Sequence, residues 1–459
     1  MPDLTTDVAV IGGGPAGYSA ALRASKQGAR VALIEQSELG GACLNRACIP
    51  TKTLLHSLAL MRSVNNTARF GVSSSPATID IDKLRERKNA IISMMTSGVE
   101  QAMIGSGITL VQGKARLLSP GDIEIIGDND NIQTLTAHKI IIATGSVPCR
   151  LNMPGADDPT VMYSSDILEL RRIPQSIVMI GGGVVGVELA AILNDLGARV
   201  TILEILPRIL SGEDTEVTQI LERVLKKDGI QIYTSAQIDR IETLQGLKRV
   251  HFTCSDVENT LDVETVCVAI GQKPFFEGLD LEECGVKTSS RGIEVNAHMR
   301  TSVPGVFAAG DVTGKVMLAY VAMVEGRIAA ENALGGDAAM NYSAIPRCVY
   351  TSLELANVGL TESEALSRGL KIRCLRTNMA ANASATILGE RRGLVKIVAD
   401  AESGRVLGVH IAGIGASNLI AECALALKLN ATVEDLSKTL HPHPSLSEAV
   451  WQASLNADI

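Results

Sequence analysis

The chain has 459 residues, of which 46% are hydrophobic, 20% charged and only 3% aromatic, with a formal net charge of −8. The length suggests about three domains. The acidic balance argues against a nucleic-acid partner, the shortage of aromatics against base stacking, and the lack of any apolar run of about eighteen residues against a membrane helix.

The N-terminus, MPDLTTDVAV, carries Asp3 and Asp7 where a signal peptide has a basic segment, and it runs directly into a strand pattern. Nine cysteines, an odd number, do not suit a fully paired secreted framework. A cytoplasmic location is expected.

The first elements form a unit that occurs twice. Residues 8–35 read VAVIGGGPAGYSAALRASKQGARVALIE, and residues 177–204 read IVMIGGGVVGVELAAILNDLGARVTILE. They align without a gap: apolar strand, Gly-rich turn, amphipathic helix, Gly-Ala-Arg, second strand, terminal Glu. Generic Gly-rich turns rarely come with this full context, which is that of a dinucleotide-binding fingerprint. Gly12 and Gly181 suit the tight turn, Gly14 and Gly183 a close approach of backbone to pyrophosphate, and Gly17 and Gly186 close helix–strand packing. The pyrophosphate is expected at the helix N-terminus. Glu35 and Glu204 end the second strands, where a carboxylate accepts from a ribose 2′-OH. A carboxylate there repels a 2′-phosphate, so Glu204 favours NAD over NADP. Two such sites imply two dinucleotides, one of them a bound flavin.

Next comes LGGACLNRACIPTKTLLH, with four residues between Cys43 and Cys48. A disulfide here closes too short a loop to add much stability, so redox work is favoured. Pro50 suits a first helical turn, and Leu54, Leu55, Leu58 and Met61 give the helix an apolar face. Cys48 is then expected at the helix N-terminus, with Lys52 one turn on; both features favour a thiolate. Two inert core thiols, or half of a metal site, remain open, although no further Cys or His stands at ligand spacing; no metal is expected.

GGACLNRACIPTK resembles the GGxCxNxGCxPSK motif of the pyridine nucleotide–disulfide oxidoreductases, with Ala47 for the usual Gly and Thr51 for the usual Ser. The resemblance covers nearly the whole chain. It implies Cys43 as the thiol that exchanges with substrate and Cys48 as the thiol facing FAD. Lys52 is then close to the flavin ring and paired with Glu188, itself also a nicotinamide-site residue. IIATGS (141–146) looks like the exit from the FAD domain, with Thr144, Gly145 and Ser146 as flavin contacts, and Ala115 carries over likewise. VAIGQKP (268–274) resembles the closing strand of the NAD domain, with Gly271 on the NAD side. TSVPGVFAAGDVTG (301–314) looks like the second FAD motif, in which Asp311 binds the ribityl chain. MLAY, that is Met317, Leu318, Ala319 and Tyr320, matches a segment usually written MLAH. In the following segment Leu353 replaces a usual Pro, and Thr361 with Glu364 forms a capping box.

The chain ends with TLHPHPSLSEAVWQASLNADI. Dithiol oxidation needs a base near neutral pH, and His443 oriented by Glu448 is one solution. The same stretch also reads as a plain capping box, Ser445 with Glu448. HPHPSLSE resembles the HAHPTLSE of the dihydrolipoamide dehydrogenase branch, with Pro442 for the usual Ala. That implies His443, not His441, as the base, and a homodimer in which His443 and Glu448 act on the cysteine pair of the other subunit.

The expected fold is α/β: two Rossmann-like dinucleotide-binding domains and a C-terminal α+β interface or dimerisation domain. The expected boundaries are 1–146 with 271–340 for FAD, 147–270 for NAD and 341–459 for the interface. The implied reaction is dihydrolipoamide plus NAD⁺ to lipoamide plus NADH. The implied partner is a lipoyl-bearing protein of a 2-oxoacid dehydrogenase, acetoin or glycine-cleavage system. A glutathione-reductase-like enzyme is disfavoured by Glu204, and a mercuric-reductase-like one by the last cysteine being Cys423. A flavoprotein serving mainly as an assembly subunit also stays open.

Overall fold

A computed structural model describes residues 4–127 and 131–456. The chain divides into two compact units. Met1–Leu54, Asp80–Cys149 and Gly271–Asn341 make up the first; Leu55–Ile79, Arg150–Ile270 and Tyr342–Ile459 make up the second.

The chain opens with β1 (Leu4–Ile11), α1 (Pro15–Lys26) and β2 (Val31–Glu35). The short helix α2 (Gly41–Asn45), then α3 (Cys48–Asn65) and α4 (Ile81–Gly105), precede β3 (Thr109–Gln112), β4 (Lys114–Leu117), β5 (Asp122–Ile126) and β6 (Ile132–Ile142). These strands form a sheet of order β3-β2-β1-β6-β5-β4. β1 lies parallel to β2, with Val8 opposite Val31 and Ile11 opposite Ile34. The parallel strands read as unbroken apolar runs because both of their faces are covered. Val8, Val10, Val31 and Leu33 point into one core with α1. Ala9, Ile11, Ala32 and Ile34 point into another with β4 and β5.

β7 (Ser146–Pro148) leads out of this unit. In the second unit follow β8 (Met162–Tyr163), α5 (Ser164–Ile167), β9 (Ser176–Ile180), α6 (Val184–Asp195), β10 (Arg199–Leu203), α7 (Thr215–Lys227) and β11 (Gln231–Tyr233). An antiparallel ladder, β12 (Ala236–Leu244), β13 (Leu247–Cys254) and β14 (Val257–Val263), then gives way to β15 (Thr265–Val268). The second parallel sheet has order β11-β10-β9-β15-β8. The sequence duplication is thus a duplication of β1-α1-β2 in β9-α6-β10.

The chain returns through β16 (Gln272–Pro274), which pairs antiparallel with β7. The short hairpin β17 (Thr288–Ser289) and β18 (Gly292–Ile293) follows, and then β19 (Val306–Ala308) joins β6 in parallel ahead of α8 (Ala319–Ala333). The C-terminal part of the second unit holds β20 (Arg347–Val349), β21 (Leu355–Gly359), α9 (Glu362–Ser367), β22 (Ile372–Asn378), α10 (Ala383–Ile387), β23 (Leu394–Asp400) and β24 (Val406–Ala412). These strands make an antiparallel sheet, β20-β21-β24-β23-β22. α11 (Ala416–Lys428), α12 (Val433–Lys438) and α13 (Glu448–Leu455) contribute Ile420, Cys423, Leu436, Ala449 and Val450 to the core that this sheet shares. The Thr361–Glu364 capping box is formed with both reciprocal bonds. Among the described residues no helix is long and apolar enough to cross a membrane.

Candidate functional site

The two Gly-rich turns have the same geometry. α1 begins after Gly14 at φ −74°, ψ −173°, and α6 after Gly183 at φ −74°, ψ −177°; neither N-cap has a side-chain bond. The first-turn N–H groups of both helices are therefore offered to an anion. Gly12 and Gly181 adopt φ of +103° and +110°. A Cβ on Gly17 would lie 1.8 Å from the Gly12 carbonyl oxygen, and one on Gly186 2.0 Å from that of Gly181. At Gly183 the corresponding space is open, and at Gly14 only Gly41 Cα comes within 4 Å.

The terminal carboxylates have a role that sequence could not assign. Glu35 accepts the Gly13 N–H at 2.6 Å and the Ser37 N–H at 2.7 Å. Glu204, only 7% exposed, accepts the Gly182 N–H at 2.5 Å and the Leu206 N–H at 2.8 Å. Each carboxylate thus braces its own turn and retains acceptor capacity for a hydroxyl. Beside Glu35 an open groove is lined by Gly12, Glu35, Ala115, Thr144 and Phe275. The groove runs from the uncapped α1 N-terminus, where the phosphates of a dinucleotide bound in the first unit would lie.

The cysteine pair is built onto that turn. Gly40 N–H donates to the Gly13 carbonyl at 2.9 Å, and a Cβ on Gly41 would sit 2.7 Å from Gly14 Cα, so α2 starts against the turn. Asn45, a motif residue that the sequence reading passed over, donates from Nδ2 to the carbonyls of Leu39 and Gly41 and pins α2 in place. Cys43 lies on α2 and Cys48 is the first residue of α3. Neither is in a disulfide, and both are partly buried. Cys48 is the hydrogen-bond partner of Cys43; that interaction, burial and the charge of Cys48 push the Cys43 thiol up, against the pull of Lys52, with Asp311 adding to the rise. Tyr18 on α1 also faces Cys43: burial first, and Cys43 second, push its hydroxyl up to about 12.

The chain's exit and return meet in the first unit. The Ser146 hydroxyl donates to Asp311 Oδ2 at 2.6 Å, and Thr144 Oγ1 donates to the Phe275 carbonyl at 2.5 Å. Gly145 accepts from Phe275 N–H. Burial raises the Asp311 carboxyl, and Ser146 opposes the rise. The Gly310 N–H donates to buried Glu325 of α8 at 2.7 Å, another contact without a sequence signal. Met317 and Leu318 lead into α8, whose first residues are Ala319 and Tyr320 and whose N-cap, Leu318, has no side-chain bond. Gly271 falls in the first unit, where its carbonyl accepts the Cys149 N–H, rather than with Gly181, Gly183 and Gly186.

In the second unit Glu188 is 3% exposed on α6 and accepts the Tyr350 N–H at 2.9 Å. His443 and Glu448 are together: His443 Nδ1 is 2.9 Å from Glu448 Oε1. Glu448 Oε2 accepts the Ser445 N–H at 2.8 Å. The same carboxylate therefore orients the imidazole and makes half of the capping box. The other half is absent, because Ser445 Oγ pairs with Ser447 Oγ at 2.9 Å and α13 starts only at Glu448. The His443 bond first, then the Ser445 N–H, hold the Glu448 carboxyl below its ordinary range. The His443 side chain is 73% exposed and only its Nδ1 is engaged, which leaves Nε2 for proton transfer. The His443–Pro444 bond is cis.

Residues 6–326 match the model of the pyridine nucleotide-disulphide oxidoreductases, and residues 345–454 match that of their dimerisation domain. The chain belongs to the pyridine nucleotide-disulphide oxidoreductase family. Among similar oxidoreductases of this family, the dihydrolipoyl dehydrogenase of Thermus scotoductus is 40% identical over 98% of this chain and 97% of its own length. A dihydrolipoyl dehydrogenase of Bacillus subtilis is 38% identical over 98% of each. The HOCl-induced flavoprotein disulfide reductase RclA of Escherichia coli, solved as a Cu(II) complex, is 26% identical over the full length of both chains, with a TM-score of 0.90.

Proposed function

We propose that the chain is an NAD-dependent dihydrolipoyl dehydrogenase working as a cytoplasmic homodimer on lipoyl groups carried by a partner protein. The observation that carries this reading is the His443–Glu448 pair with Nε2 left open, in a chain whose full-length relatives include dihydrolipoyl dehydrogenases. In this reading residues 1–146 and 271–340 hold FAD, 147–270 hold NAD(H), and 341–459 form the dimer interface. Gly12, Gly14, Gly17, Glu35, Ala115, Thr144, Gly145, Ser146, Asp311 and the 317–320 segment hold the flavin; Gly181, Gly183, Gly186, Glu188, Glu204 and Gly271 serve the nicotinamide cofactor. Lys52 and Glu188 act beside the flavin.

His443 of one subunit takes a proton from one substrate thiol. The thiolate attacks Cys43 Sγ of the oxidised pair in the other subunit; the Cys43–Cys48 bond breaks and a substrate–Cys43 disulfide forms. The second substrate thiol displaces Cys43, which leaves as a thiolate and is reprotonated from His443; the proton of the second thiol passes to the freed imidazole and from there to solvent. Two substrate thiols have become a disulfide, and the enzyme disulfide has become a Cys43 thiol and a Cys48 thiolate. FAD, when bound, supplies the two-electron relay from the reduced pair to NAD⁺.

Steady-state assays of dihydrolipoamide, glutathione disulfide and Hg²⁺ with NAD(H) and NADP(H) test the reading. High turnover is expected only for dihydrolipoamide with NAD⁺. Efficient NADPH-linked reduction of glutathione disulfide or Hg²⁺, with little dihydrolipoamide turnover, overturns it.

A further inference from the structure

The segment carrying His443 is held from both sides by residues that no step above uses. Upstream, the His441 side chain is only 6% exposed. Its Nε2 is 3.0 Å from Glu422 Oε1 on α11, and its Nδ1 is 3.0 Å from the Thr439 carbonyl oxygen. Both ring nitrogens thus lie within hydrogen-bond distance of oxygens of the fold. Neither is left to relay a substrate proton, which separates His441 from His443 in role. Pro442 links the anchored residue to His443, and its ring fixes the backbone φ there.

Downstream, Asn382 is fully buried. Its Oδ1 accepts the Ala385 N–H at 2.9 Å and caps α10, while its Nδ2 donates to the Ser445 carbonyl at 2.9 Å. The Ser445 N–H in turn goes to Glu448. An imidazole as exposed as that of His443 would ordinarily sample several rotamers at an entropic cost to any one geometry. Here the backbone on both sides, and one ring nitrogen, are fixed before substrate arrives.

We infer that His441–Glu422 and Asn382–Ser445 form a two-sided clamp that sets the position of His443, which makes His441, Glu422 and Asn382 positioning residues for the dithiol half-reaction. The inference rests on the reading of His443 as the base. The clamp uses residues from α11, the start of α10 and the loop before α13, so it ties the reactive imidazole to the core of the C-terminal sheet. A displacement of about 1 Å is enough to cost up to about a hundredfold in rate.

The test uses the full-length, flavin-loaded protein and five variants: His441→Leu, Glu422→Ala, Glu422→Gln, Asn382→Ala and His443→Gln. For each, kcat and KM for dihydrolipoamide oxidation, the rate of NADH-to-dye transfer and the thermal midpoint are measured. His441→Leu, Glu422→Ala and Asn382→Ala are expected to lower dihydrolipoamide kcat about tenfold with KM and dye transfer little changed. Glu422→Gln, which keeps an acceptor oxygen for His441, is expected to retain most of the rate. A parallel fall of both activities with the thermal midpoint assigns these residues to stability alone and overturns the clamp. Unchanged kcat in the clamp variants, with His443→Gln crippled, overturns the clamp and leaves the base. Full activity in His443→Gln removes the base and the clamp with it. Should His441→Leu not fold, the two Glu422 variants, at a partly exposed helix position, decide between these outcomes.

Discussion

The carbonyl oxygen of Gly12 occupies the place a methyl group on Gly17 would need, 1.8 Å from the ideal Cβ position. Gly181 and Gly186 repeat the relationship at 2.0 Å. Since the obstacle is backbone, an added methyl must push helix and strand apart, at a cost of about 1–3 kcal/mol. Gly17→Ala is expected to weaken flavin retention by about tenfold or more, while Gly186→Ala raises KM for NAD⁺ by a similar factor and leaves the flavin bound. Flavin absorbance per chain and NAD⁺ titration separate the two. A Gly186→Ala protein that loses flavin but keeps its KM for NAD⁺ contradicts the assignment of the two turns.

Cys48→Ser removes the sulfur that partners Cys43 but none of the residues lining the cleft beside Glu35. The variant is expected to bind FAD normally and to lose dihydrolipoamide oxidation. Retained turnover in a steady-state assay is incompatible with the cysteine exchange.

Glu204 is tied to two backbone N–H groups, so exchanging it does more than change ribose recognition. Glu204→Gln puts an amide NH₂ against one N–H donor and leaves one donor unsatisfied, at about 1–3 kcal/mol. The expected outcome is a rise of about tenfold in KM for NAD⁺ without useful activity on NADP⁺. The ratio of kcat/KM for the two nucleotides measures this; a clean switch to NADP⁺ from this one substitution would show that the carboxylate does not brace the turn.

Lys396 has a side chain only 2% exposed and meets Asp214 at 2.9 Å, Glu216 at 2.8 Å and Glu362 at 2.7 Å. Arg376 joins through Glu216 and Glu362. Lys396→Met leaves these buried and half-buried carboxylates short of counter-charge and is expected to cost about 3–5 kcal/mol in a denaturant titration. The hydrogen bond from Arg376 first, helped by Lys396, lowers the Glu216 carboxyl from 4.5 to about 2. A depressed folded pKa gives stability that is full above the unfolded value and is lost as pH falls through the folded one. The thermal midpoint should therefore drop between pH 4.5 and about 2, and Glu216→Gln should flatten that drop. An identical pH profile in the variant would exclude Glu216 as a source of the acid sensitivity.

The duplicated unit was legible because every residue of its signature is local: strand, turn, helix and carboxylate lie within 28 residues of each other, as in 8–35. The cysteine pair was legible for the same reason, down to Cys48 opening its helix. The start of α13 was not. Ser445 and Glu448 have capping-box spacing, yet the helix begins only at Glu448, because Ser445 Oγ turns to Ser447 while Glu448 keeps its half of the box and holds His443 as well. Local spacing cannot tell where a serine hydroxyl will turn, nor that one carboxylate will serve two partners. The bracing of the turns by Glu35 and Glu204 was hidden in another way: a carboxylate at that place can accept either from a ribose hydroxyl or from a backbone N–H, and the residue type alone does not say which. The Lys396 cluster draws on residues 214, 216, 362, 376 and 396, and no window of sequence holds them together.

β7 and β16 lie side by side, with Ser146 opposite Pro274 and Pro148 opposite Gln272. The stretch between them, over a hundred residues with its own parallel sheet, therefore leaves and re-enters its host at neighbouring points about one strand spacing apart. It is wired like a cartridge whose two contacts sit next to each other. A recombination that exchanged everything between Cys149 and Gly271 would leave the β7–β16 ladder intact, but it would also have to supply the acidic partners of Lys396 and Arg376, because Asp214 and Glu216 travel with the exchanged stretch.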